Sequence, residues 1–122
     1  MRDSILAARI GDLQAGADGS AILEFRFPAN DPTFAGHFPT RPLLPGVYQL
    51  EMTHVTAEAA LNCSLAVREI TKAKFLRPIV PGETIRVELK LTDKPGSIQA
   101  LARFSVKGQP AGEAIMQLAR NP

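Results

Sequence analysis

Residues 45–61 read PGVYQLEMTHVTAEAAL, and the reading of this segment decides the fold. Pro45 stands just before a helix, where its missing N–H costs nothing. From Gly46 to Leu61 the segment predicts one helix of sixteen residues, about 24 Å long. Val47, Tyr48, Leu50, Met52, Val55, Ala57, Ala59, Ala60 and Leu61 put apolar groups most of the way round it. Such a helix is largely buried. What surrounds it is read from the flanks.

Those flanks alternate with period two. In SAILEFRF (20–27), Ala21, Leu23, Phe25 and Phe27 share one face, with Glu24 and Arg26 on the other. TIRVELKLT (84–92) sets Ile85, Val87, Leu89 and Leu91 against Arg86, Glu88 and Lys90, and residues 97–106 repeat the pattern through Ile98, Ala100, Ala102, Phe104 and Val106. Period two at this length predicts half-buried antiparallel strands. DKPG (93–96) and KGQP (107–110) supply the Gly and Pro of tight turns. Further strands are expected through Ala114, Met116 and Leu118, over residues 66–76, and in the N-terminal run ILAARIGDL. One long buried helix among five or six antiparallel strands predicts an α+β layout, a curved sheet wrapped around the helix.

At 122 residues the chain has the size of a single domain, 1–122. Its 45% hydrophobic and 21% charged residues are those of a soluble globular protein. A net charge of +2 demands no nucleic acid, while a pI near 9.0 permits docking to an acidic partner. Cys63 is the single cysteine, read as a half-buried structural thiol in a reducing compartment. The N-terminal MRDSILAARIGD is no secretory signal, and no stretch approaches a membrane span, so a cytoplasmic protein is expected.

The chemistry concentrates upstream of and inside the helix. In GHFPTRPLLPGVYQLEM (36–52), Pro39, Pro42 and Pro45 stiffen a loop that carries His37, one of 2 histidines. Glu51 follows inside a helix that is otherwise apolar on that side, and a lone buried carboxylate is costly unless paired or protonated. Glu51, His54 and Glu58 have the E-x-x-H spacing of carboxylate di-metal sites, but such sites need ligands from several facing helices. With one helix available, no metal is expected, and His54 and Glu58 are read as packing or surface groups. Lys72, Lys74 and Arg77, with Arg68 nearby, form a basic strand edge able to receive an acidic carrier. No phosphate-cradling glycine loop, zinc spacing or G-x-S-x-G elbow occurs.

GHFPTRPLLPGVYQLE resembles the signature G-H-F-P-x-x-P-x-x-P-G-V-x-x-x-E of the β-hydroxyacyl-acyl-carrier-protein dehydratases of the hotdog fold. KAKFLRPIVPGETIRVEL (72–89) is similar to that family's K-x-x-F-x-R-P-V-x-P-G-D segment, and the likeness runs over about residues 20–91. The resemblance implies dehydration of a 3-hydroxyacyl thioester, on acyl carrier protein or coenzyme A, to the trans-2-enoyl thioester. It implies His37 as base, Glu51 as acid, and N–H groups of Gly46 and Val47 as oxyanion donors. It also implies a homodimer or higher oligomer with the acyl tunnel at the interface, His37 of one subunit facing Glu51 of its partner. No cofactor is expected. The family's A-x-A-Q after the acid is here Met52, Thr53, His54, Val55, and SLAVREITKAKF (64–75) has no aromatic before Phe75. These departures point to fatty-acid-like or specialised lipid or polyene synthesis rather than bulk fatty-acid synthesis. The alternatives are a hotdog acyl thioesterase and a non-catalytic acyl-carrier-binding subunit; the presence of both His37 and Glu51 favours the enzyme.

Overall fold

The computed structural model describes residues 1–34 and 43–122. A short helix α1 (Arg2–Ala7) leads into β1 (Arg9–Ala15) and β2 (Ser20–Arg26). After a 3₁₀ turn (Pro32–Phe34) come α2 (Gly46–Leu61), β3 (Leu65–Phe75), β4 (Thr84–Lys94), β5 (Ser97–Val106) and β6 (Gln109–Arg120). The strands form one antiparallel sheet in the order β1-β2-β4-β5-β6-β3. The helix reads as expected, Gly46 to Leu61, and six strands surround it.

Alternation places the core. Ala21, Leu23 and Phe25 of β2, Ile85, Val87 and Leu89 of β4, five alternate residues of β5 from Ile98 to Val106, and Ala111, Ala114, Met116 and Leu118 of β6 are all buried. α2 packs on this face, against β2, β3, β4 and β5. The opposite face pairs charges across the strands: Glu24 with Arg86, Glu88 with Arg103, and Glu113 with both Arg103 and Lys74. Opposite charges in register stabilise an exposed sheet face.

One expectation needs correction, and two features go beyond the sequence reading. The run ILAARIGDL is not one strand: its first residues complete α1, whose Ile5 is fully buried, and β1 begins at Arg9. Strand β3 does not alternate, because it is an edge strand and exposes nearly its whole length. The inward side of α2 is not purely apolar, since Gln49, Thr53 and Thr56 are buried there with Met52, Val55 and Ala57. Both threonines satisfy their hydroxyls inside the helix, Thr53 donating to the Gln49 carbonyl at 3.0 Å and Thr56 to the Met52 carbonyl at 2.7 Å. A hydroxyl bonded in this way can be buried at little cost.

Candidate active site

Glu51, His54 and Glu58 are spaced three and four residues apart, so they form one stripe of α2. The stripe lies between the start of β3 and α1, whose Ile5 is buried in the core with Ala8 just after it. Glu51 is therefore not the lone carboxylate its sequence surroundings implied. Arg2 Nη2 stands 2.7 Å from Glu51 Oε1, and Arg2 Nη1 2.6 Å from Glu58 Oε1. Arg2 Nη2 also lies 3.1 Å from His54 Nδ1. One guanidinium thus spans two turns of the helix.

The rest of the network fixes the tautomer of His54. Its Nε2 is 2.6 Å from the Leu65 carbonyl oxygen, an acceptor only, so Nε2 carries the proton. Nδ1 is then free to accept from Arg2. Glu58 Oε2 accepts the Leu65 N–H at 2.8 Å. Both backbone groups of Leu65 are thus held by the second half of α2, which ties the start of β3 to the helix.

Charge follows these contacts. Burial opposes the Arg2 charge, but the bond to Glu58 and the charge of Glu51 outweigh it and raise the guanidinium further above its ordinary value. Burial likewise pushes the Glu58 carboxyl up. The Leu65 N–H and Arg2 outweigh that and hold it below the ordinary carboxylate range. Arg2 lies between the two carboxylates that a metal reading would require. Among the described residues no cluster of His, Cys, Asp and Glu is arranged to hold a metal ion.

His37 lies outside the described residues. Gly46 opens α2 behind Pro45, with Val47 half-exposed after it. The ring of Phe75, at the end of β3, rests on the bare Cα of Gly46: a Cβ there would meet three ring atoms at 2.6–2.9 Å. One turn on, the buried Gln49 carboxamide packs against Gly112 of β6, and its Oε1 has no hydrogen-bond partner among the described residues.

The basic edge divides. Lys72 pairs with Glu113 at 2.6 Å, a bond that lowers the Glu113 carboxyl. Arg77 pairs with Glu83 at 2.7 Å, and Glu83 also accepts the Val80 N–H. Lys74 is exposed on the same strand. A surface groove of about 910 Å³ lies over the outward charges Arg86, Glu88, Arg103 and Glu113, and contains neither Glu51 nor Gly46.

Arg2 and Phe75 are the two contributors that sequence reasoning missed. The signal for Arg2 was the acceptor stripe itself, since three acceptors on a covered helix face require a donor. For Phe75 it was only the glycine at the helix start.

A six-stranded antiparallel sheet wrapped on one long helix, with a carboxylate on that helix, defines a hotdog-fold enzyme. Residues 13–116 match the model of the ApeI-like family, described as ApeI dehydratase. The chain is 38% identical over 99 residues to a 3-hydroxyacyl-[acyl-carrier-protein] dehydratase FabZ of Desulforamulus reducens, covering 75% of this chain and 70% of that protein. It is 36% identical over 123 residues to the FabZ of Chloroflexus aggregans, covering 94% and 84%. Among solved structures, a chain of the dehydratase heterocomplex ApeI:P from Xenorhabdus doucetiae superposes with a TM-score of 0.79 at 27% identity, over 92% of this chain and 96% of that one. The chain belongs to the ApeI-like dehydratase family.

Proposed function

We propose that this dehydratase converts a 3-hydroxyacyl thioester, carried on acyl carrier protein, to the trans-2-enoyl thioester. The observation that carries the reading is the family match from residue 13 to 116, which spans the whole stretch from His37 to Glu51. The FabZ relatives, named as 3-hydroxyacyl-[acyl-carrier-protein] dehydratases, add support for the carrier-bound substrate.

The reaction must remove a weakly acidic proton from C2 and expel the C3 hydroxyl as water. Neutral His37 takes the C2 proton, since an imidazole titrates near working pH. Glu51 gives its proton to the departing oxygen, the C3–O bond breaks, and the electron pair from C2 forms the double bond. Negative charge gathers on the thioester oxygen during this step. The N–H groups of Gly46 and Val47, at the start of α2, stabilise that charge. Phe75 lies against Gly46, where an apolar ring excludes water and strengthens those bonds.

We place the enzyme in the cytoplasm, where the half-buried thiol of Cys63 stays reduced, and read it as a homodimer. The unit described leaves β3 at the edge of the sheet with Val67, Ile70, Phe75, Leu76 and Val80 exposed, and Val47 exposed at the start of α2. An edge strand with this much apolar surface is stabilised by a partner. Carrier docking falls to Lys74, helped by Arg68, because Lys72 and Arg77 are already paired. Among the described residues, no helix is long and apolar enough to cross a membrane.

Synthetic 3-hydroxyacyl thioesters on carrier protein test the reading. The expected result is a rise in enoyl-thioester absorbance without free thiol. Release of thiol instead would make the protein a thioesterase, and neither product would make it a binding subunit.

A further inference from the structure

The contacts of Glu51 go beyond naming it as the acid, because they distinguish its two oxygens. Oε1 is taken by Arg2 Nη2 at 2.7 Å. Oε2 faces His54 Nδ1 at 3.4 Å. That nitrogen bears no proton in the tautomer set by the Leu65 carbonyl, and its lone pair is directed to Arg2. With His54 Nδ1 unprotonated, Oε2 receives no donor from this network, and it is the oxygen that a proton occupies when the carboxyl is in its acid form.

We propose that Arg2 is a positioning residue for the reaction, holding Glu51 through Oε1 so that Oε2 presents its proton to the leaving hydroxyl. This rests on the role given to Glu51 above. The arrangement has two effects. It fixes the carboxyl rotamer, since Arg2 is itself held by Glu58 at 2.6 Å and by His54 at 3.1 Å. It also stabilises the carboxylate left by the transfer: as Oε2–H gives up its proton, negative charge grows on the carboxyl, and the ion pair at Oε1 seen in the structure is reached. A contact that strengthens towards the transition state acts on kcat rather than on substrate binding. Ile5, three residues along α1 and fully buried, sets the helix that delivers Arg2.

The test is steady-state enoyl formation by the full-length wild type and by Arg2→Gln, Arg2→Lys, Arg2→Met and Glu51→Gln, each checked for folding by thermal unfolding. Arg2→Gln is expected to lower kcat about tenfold, as loss of a half-exposed charge-assisted bond does, with KM changed by less than about twofold. Arg2→Lys is expected to recover part of that loss, because an ammonium still reaches one oxygen. Arg2→Met keeps the packing of the stem and removes the donors, so it shows the same fall in kcat even if Arg2→Gln melts early. A purely structural Arg2 would lower the melting temperature and leave the kcat of the folded fraction at the wild-type value; that result overturns the proposal. Full kcat in Arg2→Gln overturns it as well, while the inactivity of Glu51→Gln leaves the acid assignment standing. Full activity in Glu51→Gln instead removes the acid assignment, and this proposal with it.

Discussion

Two glycines set how close the first turn of α2 comes to the sheet, and they do so by different means. At Gly112 an added methyl group would lie 2.8 Å from the Lys74 carbonyl oxygen and 2.7 Å from Gln49 Oε1. One of those neighbours is backbone, so the β3–β6 ladder has to move. Gly112→Ala is expected to cost about 1–3 kcal/mol, read as a lower melting temperature. At Gly46 the obstacle is the outer part of the half-exposed Phe75 ring, which can swing aside. Gly46→Ala should therefore melt close to the wild type yet lose activity, because the ring leaves the helix start. Equal losses of stability in the two variants would contradict this reading. The same residues show the limits of sequence. Glu51 could be picked out by its spacing from His37, but its partner Arg2 lies far away in the chain, and no local pattern announces a contact made only by tertiary packing.

Elements were more legible than contacts. The bounds of α2 followed from Pro45 and the length of the apolar segment, and the four strands at the centre of the sheet, β2, β4, β5 and β6, followed from period two because each has one buried face. Where that condition fails, so does the pattern. β3 sits at an edge, and α1 is too short to show a helical period, so its apolar residues merged with those of β1. His54 and Glu58 were read as packing or surface groups; in the fold they bind both backbone groups of Leu65. The consequence is pH-dependent. The Glu58 carboxyl is held below its ordinary value of 4.5 in the folded chain. Its contribution to stability is therefore complete above the unfolded value and is lost as pH falls through the folded one. Thermal unfolding of Glu58→Gln should show a lower melting temperature at neutral pH. The gap to wild type should narrow as the solution is acidified below pH 4.5. A constant gap across that window would mean that Glu58 acts through packing alone.

At the scale of the whole molecule, the decisive question is which subunit supplies each half of a site. In the homodimer we propose, His37 of one subunit works with Glu51 of the other. Inactive His37→Ala and inactive Glu51→Ala should then complement each other once subunits exchange. Half of the randomly mixed dimers are heterodimers with one intact site and one doubly mutated site. Activity should therefore return to about a quarter of wild type. Verified exchange with activity still at the mutant baseline would place both residues in one chain. The fold class was legible at this scale because a helix buried on a sheet of this size has few architectures open to it. Assembly was not, because sequence patterns mark which side chains are apolar, not which chain covers them.

The pairing of β3 with β6 also governs how the chain is made. Leu65 at the start of β3 meets Arg120 near the end of β6. Everything between them must leave the ribosome before the ladder can close. At about 5–20 residues per second, α2 and β3 wait for several seconds with the β3 backbone still unpaired. A chain cut short before β6 would leave β5 and β3 without the strand that joins them in the sheet.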